Sequence, residues 1–230
     1  MIKKLDWDSD FFGYPVGVLK AKEYPRQQHR TFLREAKDYR LVYIFLDHSI
    51  ARKPKGFRLV DKKAVFVRRT EQVEIPSGPG RILRFRGKPD RALIRLAMES
   101  GKYSRFKTDP GFNGGEFRRL YAKWIENSVS GISAKATYVC RFKEETAGFV
   151  TLQVEGRTAS IGLIAVSGKY RGKGIGTALV LHAVRKAFDF GCGAITVATQ
   201  LDNDPAVRLY LSNGFKLGSV KMIYHYRAHR

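Results

Sequence analysis

The sequence predicts an α+β fold in which an antiparallel meander of strands is followed by one crossover helix. Three observations lead to this prediction. Three strand-like runs are joined by short polar turns. A glycine-rich segment precedes a long helical pattern. A proline- and glycine-rich stretch that ends at residue 80 separates the earlier elements from the later ones. We therefore expect two domains, a small N-terminal α/β domain at 1–80 and a larger domain at 81–230.

The N-terminal elements alternate between helical and strand-like patterns. Apolar residues recur at helical spacing within 30–38, and the apolar run 41–46 is typical of a buried strand. Residues 57–68 indicate a pair of strands. The stretch 75–80 contains two prolines and two glycines, which disfavour helix and strand alike, so we interpret it as a linker.

The elements after this linker follow from the same two periodicities. Helical spacing predicts helices over 89–100, 117–125, 174–190 and 203–212. Strand-like runs occur at 137–142, 147–154, 159–166, 194–199 and 216–227. The polar segments 143–145 and 155–157 suit hairpin turns, so the first three of these strands should form the meander.

Basic residues greatly exceed acidic ones. The 43 lysines and arginines against 21 acidic residues give a net charge of +22, which attracts phosphate groups of any origin. The basic residues are spread along the chain and form no dense tail, which disfavours a dedicated nucleic-acid partner. The hydrophobic content of 43% suits a folded domain and excludes a disordered chain.

Cysteine usage and hydropathy indicate the compartment. Cys140 and Cys192 are the two cysteines and form no CxxC pair, so neither a disulfide framework nor a metal cluster is predicted. No apolar run approaches the roughly 20 residues that span a bilayer, and the first residues lack the apolar core of a signal peptide. We expect a cytoplasmic protein without membrane insertion. Its oligomeric state stays open, with a homodimer among the states allowed.

The segment from Val166 to Thr177 carries the strongest chemical signal. It follows an apolar strand, opens a helix and has the spacing Arg171-x-x-Gly174-x-Gly176. Unpaired N–H groups and a partial positive charge at a helix N-terminus attract anions, and glycines let the backbone approach a diphosphate closely. The spacing differs from the dinucleotide fingerprint and from a Walker loop. A glycine turn with a purely structural role is the alternative.

A second motif lies about 30 residues downstream. Asn203, Ala206 and Tyr210 are spaced by three and then four residues, so one face of a helix can carry all three. Asn203, or the residue before it, suits the N-cap, and Gly214 suits the left-handed residue after the helix end. Taken alone, Asn203 could be only a cap and Tyr210 only a core aromatic residue.

Together, and in this order, the two motifs resemble the GNAT acetyltransferase family. The resemblance implies a central mixed, mostly antiparallel sheet flanked by helices, with acetyl-CoA as co-substrate and no metal. It implies coenzyme contacts from Ile164, Ala165, Val166, Arg171, Gly172, Lys173, Gly174, Ile175, Gly176, Thr177 and Asn203, mostly through the backbone. Tyr210 falls on the family's usual general acid. Gly168 departs from the pattern, because many relatives have proline there, so the path of the loop is less well defined.

A narrower resemblance connects the chain to bacterial dTDP-fucosamine acetyltransferases. It is carried by the stretches 5–13, 103–109, 124–131 and 197–200, and it is densest after residue 102. It implies N-acetylation of the amine of dTDP-4-amino-4,6-dideoxygalactose, a small anionic amine substrate, for surface polysaccharide. Independently of this resemblance, Trp7, Phe11 and Phe12 are interpreted as core anchors of the N-terminal domain.

The expected reaction is direct attack of a neutral amine on the thioester, without a covalent enzyme intermediate. A strand-end N–H would stabilise the carbonyl oxygen, and Tyr210 would protonate the departing sulfur. The general base is left unassigned. Cys192 and His182 are interpreted as structural residues. Other acceptors, such as a protein amine or a polyamine, stay open, as does a degenerate scaffold that binds nucleic acid.

Overall fold

The computed structural model describes residues 1–24, 26–76 and 80–228. Its helices are α1 (Asp6–Phe12), α2 (His29–Ala36), α3 (Arg91–Ser100), α4 (Arg105–Thr108), α5 (Glu116–Val129), α6 (Ile175–Asp189) and α7 (Asp204–Ser212). Its strands are β1 (Lys3–Lys4), β2 (Val16–Ala21), β3 (Leu41–Leu46), β4 (Phe57–Arg69), β5 (Arg81–Arg84), β6 (Ala136–Phe142), β7 (Glu145–Glu155), β8 (Thr158–Val166), β9 (Ala194–Gln200) and β10 (Lys216–Tyr226). The predicted α+β class is confirmed.

Most predicted elements are present with nearly the predicted bounds. The helix predicted over 89–100 begins at Arg91, where Asp90 caps it by accepting a hydrogen bond from the Leu93 N–H at 2.7 Å. The strand pair predicted over 57–68 is wrong, because β4 is one continuous strand. The short elements α1, β1, β2, α4 and β5 were not predicted.

Contacts divide the chain into two compact units, Met1–Ala64 with Val220–Arg230, and Val65–Ser219. These bounds differ from the predicted division at residue 80, which stays a prediction. Residues 77–79 of the predicted linker lie outside the described residues. None of the described helices is both long and apolar enough to cross a membrane.

The first unit contains strands in the hydrogen-bonded order β1-β2-β3-β10. The pair β2–β3 is parallel, while β1–β2 and β3–β10 are antiparallel. Phe32, Ile44, Phe57 and Tyr224 belong to its apolar core. Phe12 is buried as predicted, but Trp7 is 51% exposed and stacks on Phe11 at 5.1 Å, so its interpretation as a core anchor is wrong.

The second unit contains the last part of β4, from Val65 onward, followed by strands in the order β9-β8-β7-β6-β5. The pairs β5–β6, β6–β7 and β7–β8 are antiparallel, which confirms the predicted meander, and β8–β9 is parallel. Helix α6 connects that parallel pair, as a crossover must. Both α3 and α6 pack on β7 and β8. The candidate site lies where β8 ends and α6 begins.

Candidate functional site

Strand β8 separates from β9 before it ends. The described parallel pairing stops at Ile161 and Val197, although both strands continue beyond these residues. The cause lies on the other edge of β8, where Gly162 and Leu163 together face Thr151 in a β-bulge. The Thr151 hydroxyl accepts a hydrogen bond from the Leu163 N–H at 2.8 Å. A bulge bends the strand that contains it, and the last residues of β8 continue without pairing to β9.

The residues after β8 make a tight turn into α6. A 3₁₀ turn spans Gly168–Tyr170, and the four residues 171–174 are exposed. Gly172 and Gly174 have φ angles of 73° and 76°, a left-handed conformation that favours glycine. No side chain among the described residues caps the N-terminus of α6. The first N–H groups of this helix therefore stay available for an anion.

A hairpin end holds the first part of this turn. Glu145, the first residue of β7, accepts hydrogen bonds from the Tyr170 hydroxyl at 2.6 Å and from Lys169 Nζ at 2.8 Å. The hydrogen bonds from Lys169 and then Tyr170 lower the pKa of Glu145, and the bond to Glu145 raises the pKa of Lys169. Sequence reasoning missed both contacts of Glu145, since no motif connects residues 24 or 25 positions apart.

Arg171 is held as well. Its Nε donates to the Val166 carbonyl oxygen at 3.3 Å, and its guanidinium forms an ion pair with Glu99 of α3. Two contacts therefore hold the Arg171 side chain. Lys173 is exposed, and its ammonium lies 5.8 Å from the centroid of the Phe142 ring. The positive charge beside the turn is thus partly fixed in place.

Helix α7 approaches the start of α6 closely. A Cβ on Gly176 would lie 3.4 Å from the Leu209 side chain and 3.8 Å from Val166, so three parts of the predicted site meet here. Asn203 occupies the predicted N-cap position of α7, but its side chain makes no cap bond. It donates instead to the Thr199 hydroxyl of β9 at 3.1 Å.

Tyr210 lies on α7 with only 3% of its surface exposed. Its ring packs against Phe66 and Phe215, each at a centroid distance of 5.9 Å. Burial raises the pKa of the Tyr210 hydroxyl above its usual range. The group is therefore protonated at neutral pH and is able to donate a proton or a hydrogen bond.

Two further residues of chemical interest have structural surroundings. His182 of α6 packs edge-on against Tyr138 at 4.5 Å, and burial lowers the pKa of His182 to about 4. Cys192 is 3% exposed, and burial raises the pKa of its thiol. A buried thiol with a raised pKa is a poor nucleophile. Both observations agree with the structural roles expected from the sequence.

Comparisons with known proteins identify the domain that contains this site. Residues 102–215 match the model of the Acetyltransferase (GNAT) family. The chain is 32% identical over 130 residues to dTDP-fucosamine acetyltransferase of Escherichia coli O6:H1, which covers 56% of this chain and 55% of that protein. It is 26% identical over 134 residues to the spore coat polysaccharide biosynthesis protein SpsD of Bacillus subtilis, covering 58% and 46%. The chain thus spans about half the length of these curated relatives.

Solved structures share the fold. A GCN5-related N-acetyltransferase from Kribbella flavida superimposes with a TM-score of 0.59, covering 94% of this chain and 82% of that one. The sequence identity is only 12%, so this similarity concerns the fold alone.

Proposed function

Because the chain belongs to the GNAT acetyltransferase family, we propose that it transfers the acetyl group of acetyl-CoA to a primary amine. The acceptor we propose is an aminosugar linked to dTDP. One observation carries the proposal. The start of α6, which follows a glycine turn and has no side-chain cap, comes shortly after the end of β8, where β8 no longer pairs with β9. This arrangement offers a site for a diphosphate and, next to it, main-chain groups for an extended chain.

We assign the two parts of the coenzyme, its diphosphate and its pantetheine arm, to separate parts of this site. The backbone N–H groups of residues 171–177 would bind the diphosphate, because the helix N-terminus supplies donors and positive potential together. The pantetheine arm would then extend along Ile164–Val166, where β8 lacks its β9 partner. Asn203, fixed by Thr199, would contact the same arm from the side of β9.

The reaction we propose proceeds in one ternary complex. The nitrogen of the neutral acceptor amine attacks the thioester carbon, and the carbonyl oxygen gains negative charge that a main-chain N–H near the end of β8 would stabilise. Collapse of this adduct breaks the carbon–sulfur bond and yields the amide. The sulfur takes a proton from the Tyr210 hydroxyl, and the proton lost by the amine nitrogen goes to solvent, from which Tyr210 is reprotonated.

Three features support an anionic sugar nucleotide as the acceptor. The net charge of +22 attracts a diphosphate and repels a polyamine. One relative is named a dTDP-fucosamine acetyltransferase, and another is named a spore coat polysaccharide biosynthesis protein. Since the chain spans about half the length of each, the acceptor stays a proposal.

Release of the coenzyme thiol tests the proposed acceptor and the proposed role of Tyr210. The protein is incubated with acetyl-CoA and a panel of acceptors, namely a dTDP-aminosugar, a peptide amine and spermidine, and free coenzyme thiol is measured over time. We expect release with the sugar nucleotide, and preferential release with another amine would overturn this acceptor. Tyr210→Phe should lower kcat about 100-fold while the Kd for coenzyme A stays nearly unchanged. Tyr138→Phe, another buried tyrosine, is the matched control, and equal kcat in both variants would remove Tyr210 from the acid role.

A further inference from the structure

Three features of the β6–β7 hairpin fix the position of the turn that precedes α6. The first is the hairpin tip, where Lys143 and Glu144 connect paired residues and have φ angles of 48° and 64°. A two-residue hairpin with both φ angles positive is a type I′ turn, which normally takes asparagine and glycine. Two bulky residues in left-handed conformations are strained, and such strain persists where the surroundings fix the local geometry. This turn places Glu145 at the first position of β7.

The second feature is a bulge two residues further on. Register shifts between Cys140 and Arg141, which leaves Ala147 as the extra residue of β7. The carbonyl oxygen of Ala147 accepts a hydrogen bond from the N–H of Ser167 at 2.8 Å. The bulge therefore joins the hairpin to the first residue after β8.

The third feature is the Glu145 carboxylate itself. It accepts one hydrogen bond from the Tyr170 hydroxyl and others from Lys169 Nζ, so two consecutive residues of the turn are bound to the same group. Tyr170 is only 5% exposed, and its ring packs edge-on against Phe142 at 5.4 Å. The anchor thus combines a buried ring with charge-assisted hydrogen bonds, which are stronger than neutral ones.

These contacts act directly before the residues assigned to the diphosphate. A Cβ added to Gly172 or Gly174 would meet nothing within 4 Å, so packing does little to order these two glycines. Arg171 is held by Val166 and Glu99, and the conformation of the glycines that follow depends on Arg171 and Tyr170 on one side and on α6 on the other. We propose that Glu145 and Tyr170 are positioning residues that hold this turn in its anion-binding conformation and thereby set the affinity for the coenzyme. This inference rests on the proposed function, since it assigns the origin of diphosphate affinity at the same site.

Calorimetric titration with coenzyme A tests the inference. Tyr170→Phe keeps the buried ring and removes the hydroxyl, and we expect the Kd for coenzyme A to rise roughly tenfold, the effect of losing one charge-assisted hydrogen bond. Glu145→Gln keeps an acceptor oxygen for Tyr170 but loses the charge, so its Kd should rise less than that of Glu145→Ala. Matched controls are Tyr138→Phe, a buried tyrosine of β6, and Glu155→Gln, at the exposed far end of β7. Both should bind as the wild type does.

A kinetic comparison separates positioning from general destabilisation. The variants should show a raised KM for acetyl-CoA with kcat nearly unchanged at saturation, and the advantage of acetyl-CoA over S-acetylpantetheine, which lacks the diphosphate, should shrink. A variant that only destabilises the fold would lose activity with both thioesters alike, and that outcome would overturn the inference. Equal Kd values for wild type, Tyr170→Phe and Glu145→Ala would do the same. Absence of coenzyme binding in the wild type would overturn the proposed function as well, so the two failures are distinguishable.

Discussion

The surroundings of His182 predict a pH dependence of stability. The imidazole lies on α6 against Tyr138, and its Nε2 atom is buried without a hydrogen-bond partner. Burial, and to a smaller extent the positive charges of Lys186 and Arg185, lower its pKa to about 4. The unfolded chain therefore binds a proton on this residue at a higher pH than the folded protein does.

The sign and size of the effect follow from proton linkage. Between the folded pKa of about 4 and an ordinary value of about 6.5, the unfolded state binds more protons, so the free energy of unfolding falls as the pH falls. Integration from about pH 7.5 to about pH 5 gives a loss of about 2 kcal/mol. His182 stays partly accessible, and water weakens the effect, so we expect a loss of about 1 to 2 kcal/mol.

Denaturant unfolding at the two pH values measures this loss. His182→Phe keeps a ring of similar size and removes the titrating group, so its free energy of unfolding should fall by about 1 to 2 kcal/mol less than that of the wild type over the same interval. His48→Gln, at an exposed position, is the control and should follow the wild type. If His182→Phe lost as much stability as the wild type on acidification, the assignment of a buried neutral imidazole would be wrong.

Three further predictions concern the site. Gly148→Ala would bring a Cβ within 2.8 Å of a main-chain oxygen of β8, so we expect the free energy of unfolding, measured with denaturant, to fall by about 1 to 3 kcal/mol. Gly193→Ala, where a Cβ has open space, should change it little. The combined replacement Lys143→Asn and Glu144→Gly relieves the strain of two left-handed residues at the hairpin tip and should raise the free energy of unfolding by about 1 kcal/mol. An unchanged or lower Tm would show that the tip is not strained. Asn203→Ala should raise the KM for acetyl-CoA several-fold with kcat little changed, and steady-state kinetics with an unaltered KM would remove Asn203 from the coenzyme site.

Elements with long, regular patterns could be predicted from the sequence. The meander and α6 follow from apolar periodicities that extend over seven or more residues and are bounded by clear turn signals. Strand β4 was wrongly predicted as a pair of strands, and the polar residues Asp61, Lys62 and Lys63 lie in its middle. Asp61 is in fact only 7% exposed within a continuous strand. Burial of a charged residue depends on tertiary contacts that local patterning does not contain.

The candidate site likewise has features that the sequence predicts and features that depend on tertiary contacts. Its glycines were predictable, since a left-handed turn at Gly172 and Gly174 before a helix is a local requirement of the backbone. The side chains that fix the turn were not, because Glu145 and Tyr170 meet only when β7 and β8 pair. The separation of β8 from β9 likewise depends on a bulge in the pairing with β7, which alternation of apolar residues does not indicate.

A crystal structure of the protein with coenzyme A tests the central claim most directly. We expect the diphosphate oxygens to lie within about 2.7 to 3.2 Å of backbone N–H groups between Arg171 and Thr177. The thiol end should lie beside the part of β8 that no longer pairs with β9, near Tyr210. A coenzyme bound with its phosphates away from the start of α6 would contradict the account.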